Sequence, residues 1–313
     1  MARLNISIPH DLYEATKRWR GTRNLSQICA TALQRELSAA DTSRTSLGLR
    51  SLLQPKSEEE QLLARTFRLV DACVVDSPRD VEELRSTLGK AGAEYLNRWL
   101  CDDARLAIAG GRQTWEVVRH LAPRSIQVAI SSLGVAQNDP HVLHVHPNTL
   151  TTILWLLYSP SASAQLVTAE SPDSPWPDDP PVAARPTYFV LSSCSSFSST
   201  SPFATLIGKD MTDMLLVRGA SGDFAYIFFS PQGEVIEFSD LGRSRSTLNR
   251  SLFSASMLRR LAARSDTRVI LVAGGRDKLM TIRHAVQHHL CNVLITDHGS
   301  ADELFGAVNQ EES

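Results

Sequence analysis

The stretch that decides the fold is Val269-Ile270-Leu271-Val272-Ala273-Gly274-Gly275-Arg276-Asp277-Lys278, an apolar run that ends in two glycines. A continuous run of this kind is typical of a strand that is buried on both faces, as in a parallel sheet. The next segment, Met280–Leu290, has helical spacing, and Asn292–Asp297 is another buried strand. Strands that alternate with helices in this way predict a parallel α/β architecture.

The same pattern occurs earlier in the chain. The apolar run Leu106–Ala109 is followed by Gly110-Gly111-Arg112-Gln113-Thr114 and then by the helical pattern Trp115–Leu121. A glycine turn that opens a helix presents backbone N–H groups to an anion, although such a turn can also serve only to connect strand and helix. Because ligands of open α/β sheets bind at the carboxyl ends of the strands, Lys278 becomes a candidate partner for an anionic ligand.

Length and composition set the class of protein. The 313 residues suggest about two domains, and 42% hydrophobic residues, 21% charged residues and a net charge of −2 indicate a globular chain. Five scattered cysteines without a Cys-x-x-Cys pair favour a reducing compartment. The sequence contains neither a secretory signal nor an apolar segment long enough to span a bilayer. We therefore expect a cytoplasmic protein with no membrane partner.

The amino-terminal residues differ in charge and pattern from the rest. Residues 1–37 carry a net charge of +3, which leaves −5 for the remainder. In Arg3–Ile8 apolar and polar residues alternate, which predicts a strand, and two short helical patterns follow. So small a unit requires a partner, and pairing with a second copy would form an antiparallel ribbon that fits the major groove of DNA.

This segment resembles the ribbon-helix-helix family of DNA-binding proteins in Arg3–Pro9, in Leu12 and in the turn Asn24-Leu25-Ser26. The resemblance implies a dimer that binds a palindromic operator in double-stranded DNA. It implies that the outward strand residues contact bases and that the turn before the second helix holds a phosphate; these residues are Arg3, Asn5 and Ser7, then Asn24 and Ser26. The alternative is an edge strand and two helices that pack on the body with a solvated basic face.

Residues 38–55, rich in small polar side chains, predict a linker to a body over residues 56–313. The body resembles the sugar-binding effector domain of the SorC family of bacterial transcriptional regulators. The segments that carry this resemblance are Lys90–Leu96, Gly110–Thr114, Gly219–Asp223, Gly274–Lys278 and Leu294–Asp297. The resemblance implies a Rossmann-like parallel sheet flanked by helices, related to sugar-phosphate isomerases, that binds a phosphorylated sugar or a similar metabolite.

The same resemblance implies a set of effector-binding residues. Gly110, Gly111 and Thr114 would hold the phosphate or an equivalent anion, Lys278 would neutralise it, and Asp223 would accept hydrogen bonds from hydroxyl groups. Gly134 and Asp297 would lie at the same rim. The chain departs from the family in Ser131–Val135, which follows a predicted strand at Ile126–Ile130 and where many members have an arginine or paired glycines. It departs again in Ser192–Ser201, a serine-rich stretch predicted to be a loop, where a Gly-Ile-Gly turn is usual. These departures predict a reshaped pocket.

Together these features predict a sequence-specific transcriptional regulator, a repressor, that works as a homodimer or homotetramer and responds to a small effector. We expect no catalytic residue, cofactor or metal, because no triad, nucleotide loop or ligand spacing is present, and His141, His144 and His146 lack a partner ligand. One alternative is an isomerase-like enzyme in which Asp223, Asp297 and Lys278 transfer protons and the head serves for dimerisation. Another is an assembly protein with neither activity.

Overall fold

The computed structural model describes residues 56–134, 140–166, 186–201, 204, 207–237 and 253–311. The predicted DNA-binding head and linker lie outside these residues. The main element is a sheet of seven parallel strands: β1 (Asp71–Val75), β2 (Ala104–Ala109), β3 (Val128–Leu133), β4 (Ser163–Gln165), β5 (Tyr188–Ser192), β10 (Thr267–Val272) and β11 (Val293–Asp297). Their order is β1-β11-β10-β5-β2-β3-β4. The predicted α/β class is therefore confirmed for the body.

Helices cover both faces of this sheet. They are α1 (Glu58–Thr66), α2 (Val81–Trp99), α3 (Arg112–Arg119), α4 (Pro147–Tyr158), α6 (Ala255–Ala262), α7 (Leu279–Gln287) and α8 (His298–Glu311), whereas α5 (Lys209–Val217) packs on a smaller sheet. The side chains of β10 alternate between two apolar layers: Ile270 and Val272 belong to the layer of α2, α3 and α4, whereas Val269 and Leu271 belong to that of α1, α6, α7 and α8. This two-sided burial explains the uninterrupted apolar run of β10.

Local sequence signals fix the ends of the first two helices. Ser57 and Glu60 form a reciprocal capping box at the start of α1, and Glu60 also accepts a hydrogen bond from the Val74 amide of β1. Asp80 caps the start of α2 by accepting a hydrogen bond from the Glu83 amide. Further along α2, a Cβ at Gly89 would lie 2.5 Å from the Glu116 Cβ of α3. The glycine therefore allows these two helices to pack closely.

A second, antiparallel sheet lies beside the first: β6 (Cys194–Ser196), β7 (Gly222–Phe224), β8 (Ile227–Phe229) and β9 (Val235–Ile236). Its core with α5 includes Phe197, Leu215 and Phe228. The interpretation of Ser192–Ser201 as a loop was wrong for the part that forms β6. Among the described residues this strand pairs with β7 alone, some 28 positions further along the chain (Ser195 opposite Asp223), so the local pattern gave no sign of it.

The strand predicted at Ile126–Ile130 also differs from the structure. The observed β3 runs on through Ser131 and Ser132, both of which are buried, and the Ser132 hydroxyl donates to Thr151 Oγ1 at 3.0 Å. Two serines suggested a strand end, but hydrogen bonding to α4 allows at least one of them to be buried within the sheet. None of the helices in the described ranges combines the length and apolarity that crossing a membrane requires.

Candidate functional site

A cavity of about 300 Å³ lies at the carboxyl ends of β2 and β5, beside the 3₁₀ turn after β10. Most of its lining comes from the turn after β2, the chain from β5 into β6, the β7–β8 hairpin and the turn after β10, and the start of α2 and Val145 complete it. The cavity brings together four of the seven predicted effector-binding residues, namely Gly110, Gly111, Asp223 and Lys278. This is the edge of a parallel sheet where ligands of α/β proteins bind.

One wall of the cavity consists of hydroxyl side chains. We call the following residues the hydroxyl wall: Ser192, Ser193, Ser195, Ser196, Ser198, Thr200 and Ser201. Each hydroxyl can donate one hydrogen bond and accept others, which suits a ligand that carries several hydroxyl groups. In the sequence this stretch differs from the family pattern and predicts only a reshaped pocket. Its abundance of serine was the signal that could have identified it as a binding surface.

Asp223 lies in β7 opposite this wall and is buried. The Ser195 hydroxyl donates to its Oδ1 at 2.5 Å. Burial raises the pKa of Asp223 from 3.8 to about 6, although hydrogen bonds from the Ser195 hydroxyl and the Tyr226 amide oppose this change. The carboxylate is thus a strong acceptor at neutral pH and is placed to receive ligand hydroxyl groups.

The glycine turn after β2 is engaged within the protein. The Gly110 amide donates to Tyr226 Oη at 3.1 Å, and the Gly111 amide donates to the Val145 carbonyl at 3.0 Å. A Cβ at Gly110 would lie 2.8 Å from Pro147 Cδ, so glycine is needed here for close approach of the chain. The backbone donors that remain at this turn are the amides of the first turn of α3, which have no acceptor within the helix.

Thr114 and Gly134 stand behind the cavity and do not line it. The Thr114 hydroxyl is buried and has no hydrogen-bond partner among the described residues, and a Cβ at Gly111 would lie 3.3 Å from its oxygen. Gly134 has a φ of +77°, and a Cβ there would lie 2.5 Å from the ring of Tyr226. Gly134 therefore makes room for Tyr226, which the sequence analysis did not identify.

The charged side chains at the cavity are of both signs. Lys278 is half-buried, with its Nζ 3.4 Å from the Gly274 carbonyl oxygen, and Arg85 and Arg112 also line the cavity. Asp277 and the buried Asp223 oppose them. An anionic group of a ligand would find its charge partners near Lys278, whereas hydroxyl groups would find theirs at Asp223 and the hydroxyl wall.

Asp297 lines a separate cavity of about 760 Å³ next to the first, and Lys278 lines both. Its carboxylate accepts hydrogen bonds from the hydroxyls of Ser77 at 2.7 Å and Ser300 at 2.6 Å and from the Gly275 amide at 3.0 Å. Burial raises its pKa, but these bonds outweigh burial and hold the pKa below its ordinary value. Asp297 therefore fixes the turn after β10, and the structure does not bring it to the cavity of Asp223.

Two sets of predicted residues remain, the DNA-contacting residues of the head and the histidines. The DNA-contacting residues Arg3, Asn5, Ser7, Asn24 and Ser26 lie outside the described residues, as does the side chain of His141. His146 Nδ1 accepts a hydrogen bond from the Asn148 amide and so caps α4. Across the part of the chain that the structure describes, no group of three or more His, Cys, Asp or Glu side chains is arranged to hold a metal ion.

Comparison with known proteins supports the fold that holds this cavity. Residues 53–151 match the family model described as "Putative sugar-binding domain". The full-length sorbitol operon regulator SorC from Klebsiella pneumoniae is 19% identical, with 94% of this chain and 97% of that chain covered and a TM-score of 0.59. A "probable sor operon regulator" from Shigella flexneri is 20% identical, with 79% and 97% covered and a TM-score of 0.59.

A third crystal structure, a "putative sugar-binding domain of transcriptional repressor" from Vibrio fischeri, is 17% identical, with 80% and 99% covered and a TM-score of 0.60. No curated protein is significantly similar to this chain in sequence. The predicted likeness of the body to the SorC sugar-binding domain is thus confirmed for the fold. The predicted ribbon-helix-helix head stays a prediction.

Proposed function

We propose that this protein is a cytoplasmic, sequence-specific transcriptional repressor that senses a small hydroxylated metabolite. Residues 1–37 form a ribbon-helix-helix head, residues 38–55 a linker, and residues 56–313 the sensor. The observation that supports the proposal most strongly is the cavity, which gathers Gly110, Gly111, Asp223 and Lys278 in a fold shared with sugar-binding domains of regulators.

The cavity offers two kinds of contact to an effector. Ligand hydroxyl groups donate to Asp223 and exchange hydrogen bonds with the hydroxyl wall. Lys278 and the first turn of α3 attract the more electronegative end of the ligand. This division of roles agrees with what the resemblance to SorC-family effector domains implies. The resemblance places the turn that carries Gly110, Gly111 and Thr114 next to an anionic group of the effector, with Gly134 behind that turn. Asp297 contributes indirectly, because it fixes the turn that carries Lys278.

Two homodimeric states explain how the effector controls DNA binding. A ligand changes an equilibrium only if it binds the two states with different affinity. The cavity lies between the parallel sheet and the β7–β8 hairpin of the small sheet, so a ligand that contacts both elements stabilises one arrangement of them. In the proposed repressor, the effector-bound arrangement is the one whose paired heads fit the palindromic operator poorly.

The first experiment tests DNA recognition directly. Full-length protein is incubated with sheared genomic DNA of its host, and bound fragments are sequenced beside those recovered with a double variant, Arg3→Ala and Asn5→Ala. We expect one inverted-repeat sequence to be enriched by the native protein and lost with the variant. Free sugars, polyols and sugar phosphates are each added to a parallel sample. Only the sample that contains the effector should show reduced enrichment of the operator. Equal recovery of random fragments by both proteins would contradict sequence-specific binding.

We propose no catalytic role. An isomerase-like reaction would need Asp223, Asp297 and Lys278 around one substrate, yet Asp297 lines the other cavity and its oxygens accept hydrogen bonds from Ser77, Ser300 and Gly275. Incubation of the protein with pentose and hexose phosphates should give no product. Turnover that is lost in Lys278→Ala would instead establish the enzyme.

A further inference from the structure

Tyr226 occupies an unusual position at the edge of the cavity. It lies with Ala225 in the two-residue connection of the β7–β8 hairpin, and both residues have positive φ angles, 51° at Ala225 and 68° at Tyr226. Such turns are normally formed by glycine or asparagine, because L side chains with a Cβ rarely adopt this conformation. A residue is held in such a conformation only where its surroundings fix it.

The surroundings of Tyr226 do so on two sides. Its ring packs against Gly134, where a Cβ would lie only 2.5 Å from the ring. Its hydroxyl oxygen accepts the hydrogen bond from the Gly110 amide at 3.1 Å. The Gly111 amide is engaged as well, by the Val145 carbonyl. The two glycine amides that a phosphate oxygen would use at this turn are therefore bonded to the protein.

The groups that remain at the cavity act on a phosphate in opposite directions, since the cations Lys278, Arg85 and Arg112 line it together with carboxylates. The oxygens of a phosphate monoester carry close to two negative charges at neutral pH and only accept hydrogen bonds. The buried carboxylate of Asp223 repels them, and the two glycine amides that would otherwise bind them are engaged within the protein. An uncharged sugar or polyol can donate to Asp223 and can both donate to and accept from the hydroxyl wall.

Building on the proposed effector function, we propose that Tyr226 is a specificity-determining residue, which makes this cavity select a sugar or polyol without a phosphate group. It does so because its hydroxyl oxygen occupies the Gly110 amide that a phosphate oxygen would need. The position of Asp223 on the adjacent strand reinforces this selection, since the same hairpin carries both residues. The substrate class of the sensor is thus set by a turn in the small sheet.

The test measures affinity by titration calorimetry with full-length protein at pH 7.5. The probes are matched pairs: glucose, fructose and glucitol with their 6-phosphates, and ribose with its 5-phosphate. We expect the free compound that binds best to bind at least about tenfold more tightly than its own phosphate ester. Tyr226→Gly, which suits the left-handed turn and exposes the Gly110 amide, should raise the affinity for the ester about tenfold.

Two further variants make the result specific. Tyr226→Phe keeps the ring against Gly134 but removes the oxygen that accepts the Gly110 hydrogen bond, so the ester should again gain affinity relative to the free compound. Tyr95→Phe, on α2 and away from the lining of the cavity, should leave the ratio unchanged. A thermal melt of each variant confirms that it is folded.

The outcomes separate this inference from the proposed function. If the native protein prefers the phosphate ester, or if both Tyr226 variants leave the ratio unchanged, the specificity inference is wrong while the sensor function stands. If no pair binds to the native protein or to any variant, both the inference and effector sensing are wrong, and recovery of an operator then tests DNA binding alone.

Discussion

The buried carboxylate of Asp223 lowers the stability of the folded protein at neutral pH. Burial raises its pKa to about 6. A carboxyl group whose pKa is raised in the folded state binds its proton more tightly there than in the unfolded chain. Its stabilising contribution is therefore complete below its ordinary pKa of 3.8 and is lost as the pH rises through about 6.

This linkage predicts the effect of Asp223→Asn. The variant lacks the titrating group. Its free energy of unfolding should therefore rise by about 1 kcal/mol relative to that of the native protein as the pH is raised from 5 to 7.5. Urea unfolding of both proteins at the two pH values measures the difference. The matched control is Asp297→Asn, since the pKa of Asp297 is held low and its stabilising contribution is lost as the pH falls. If the difference in free energy of unfolding between Asp223→Asn and the native protein is the same at both pH values, the prediction is wrong.

At the scale of elements, the β7–β8 hairpin carries conformational strain next to the cavity. Ala225 has a φ of 51° and contributes its backbone to a turn that glycine would form without steric cost. The strand β7 before it carries Asp223, and Tyr226 follows it. The strain is therefore located next to Asp223 and at the residue that we propose to determine ligand specificity, Tyr226.

We predict that Ala225→Gly stabilises the protein by about 0.5–1 kcal/mol, because relief of the left-handed strain exceeds the entropic cost of the added glycine. The midpoint and slope of urea unfolding measure this change. The matched control is Ala91→Gly within α2, where the right-handed backbone gives glycine no advantage and a loss of about 1 kcal/mol is expected. Equal destabilisation by both substitutions would show that the hairpin is unstrained.

Elements with local signals were predictable from the sequence, and those that depend on distant partners were not. The capping residue Ser57, the apolar run of β10 and the helix after it all carry their cause within a few residues of the chain. The small antiparallel sheet depends on pairing of Cys194–Ser196 with Gly222–Phe224, which no local pattern announces. The serines of the hydroxyl wall are visible in the sequence. Their position beside Asp223 depends on the pairing of β6 with β7, which places Ser195 opposite Asp223.

The same distinction applies within the predicted site. The glycines after β2 mark a turn, and the sequence correctly placed it at a sheet edge beside Lys278. Which group uses the glycine amides could not be foreseen, because Tyr226 and Val145 lie far from them in the chain and reach them only in the folded state. Asp297 followed a strand in the expected place, yet its neighbours Ser77 and Ser300 take its oxygens.

The predicted head is expected to bind operator DNA through its outward strand residues. If Arg3 and Asn5 contact bases, Arg3→Ala or Asn5→Ala should each weaken binding to the recovered operator by about 1–3 kcal/mol. Fluorescence anisotropy with the operator and with a scrambled duplex measures the loss. Dimerisation, followed by sedimentation, should be unaffected because both side chains lie on the outward face of the predicted ribbon. Equal losses on both duplexes would show that these residues contact only the DNA backbone.

Effector binding at the cavity and operator binding at the predicted head are expected to affect each other equally. If the effector lowers operator affinity by a given factor, thermodynamic linkage requires the operator to lower effector affinity by the same factor, on the order of 5–150-fold. Calorimetric titration of effector into free and operator-saturated protein measures one factor, and anisotropy with and without saturating effector measures the other. Lys278→Ala should weaken effector binding yet leave operator affinity unchanged when no effector is present. Because linkage makes the two factors equal for a ligand at any site, the variant decides where the ligand acts. An effector concentration that saturates the native protein but not Lys278→Ala should lower operator affinity less in the variant, and an equal effect on both proteins would mean that the ligand acts by a route other than this cavity.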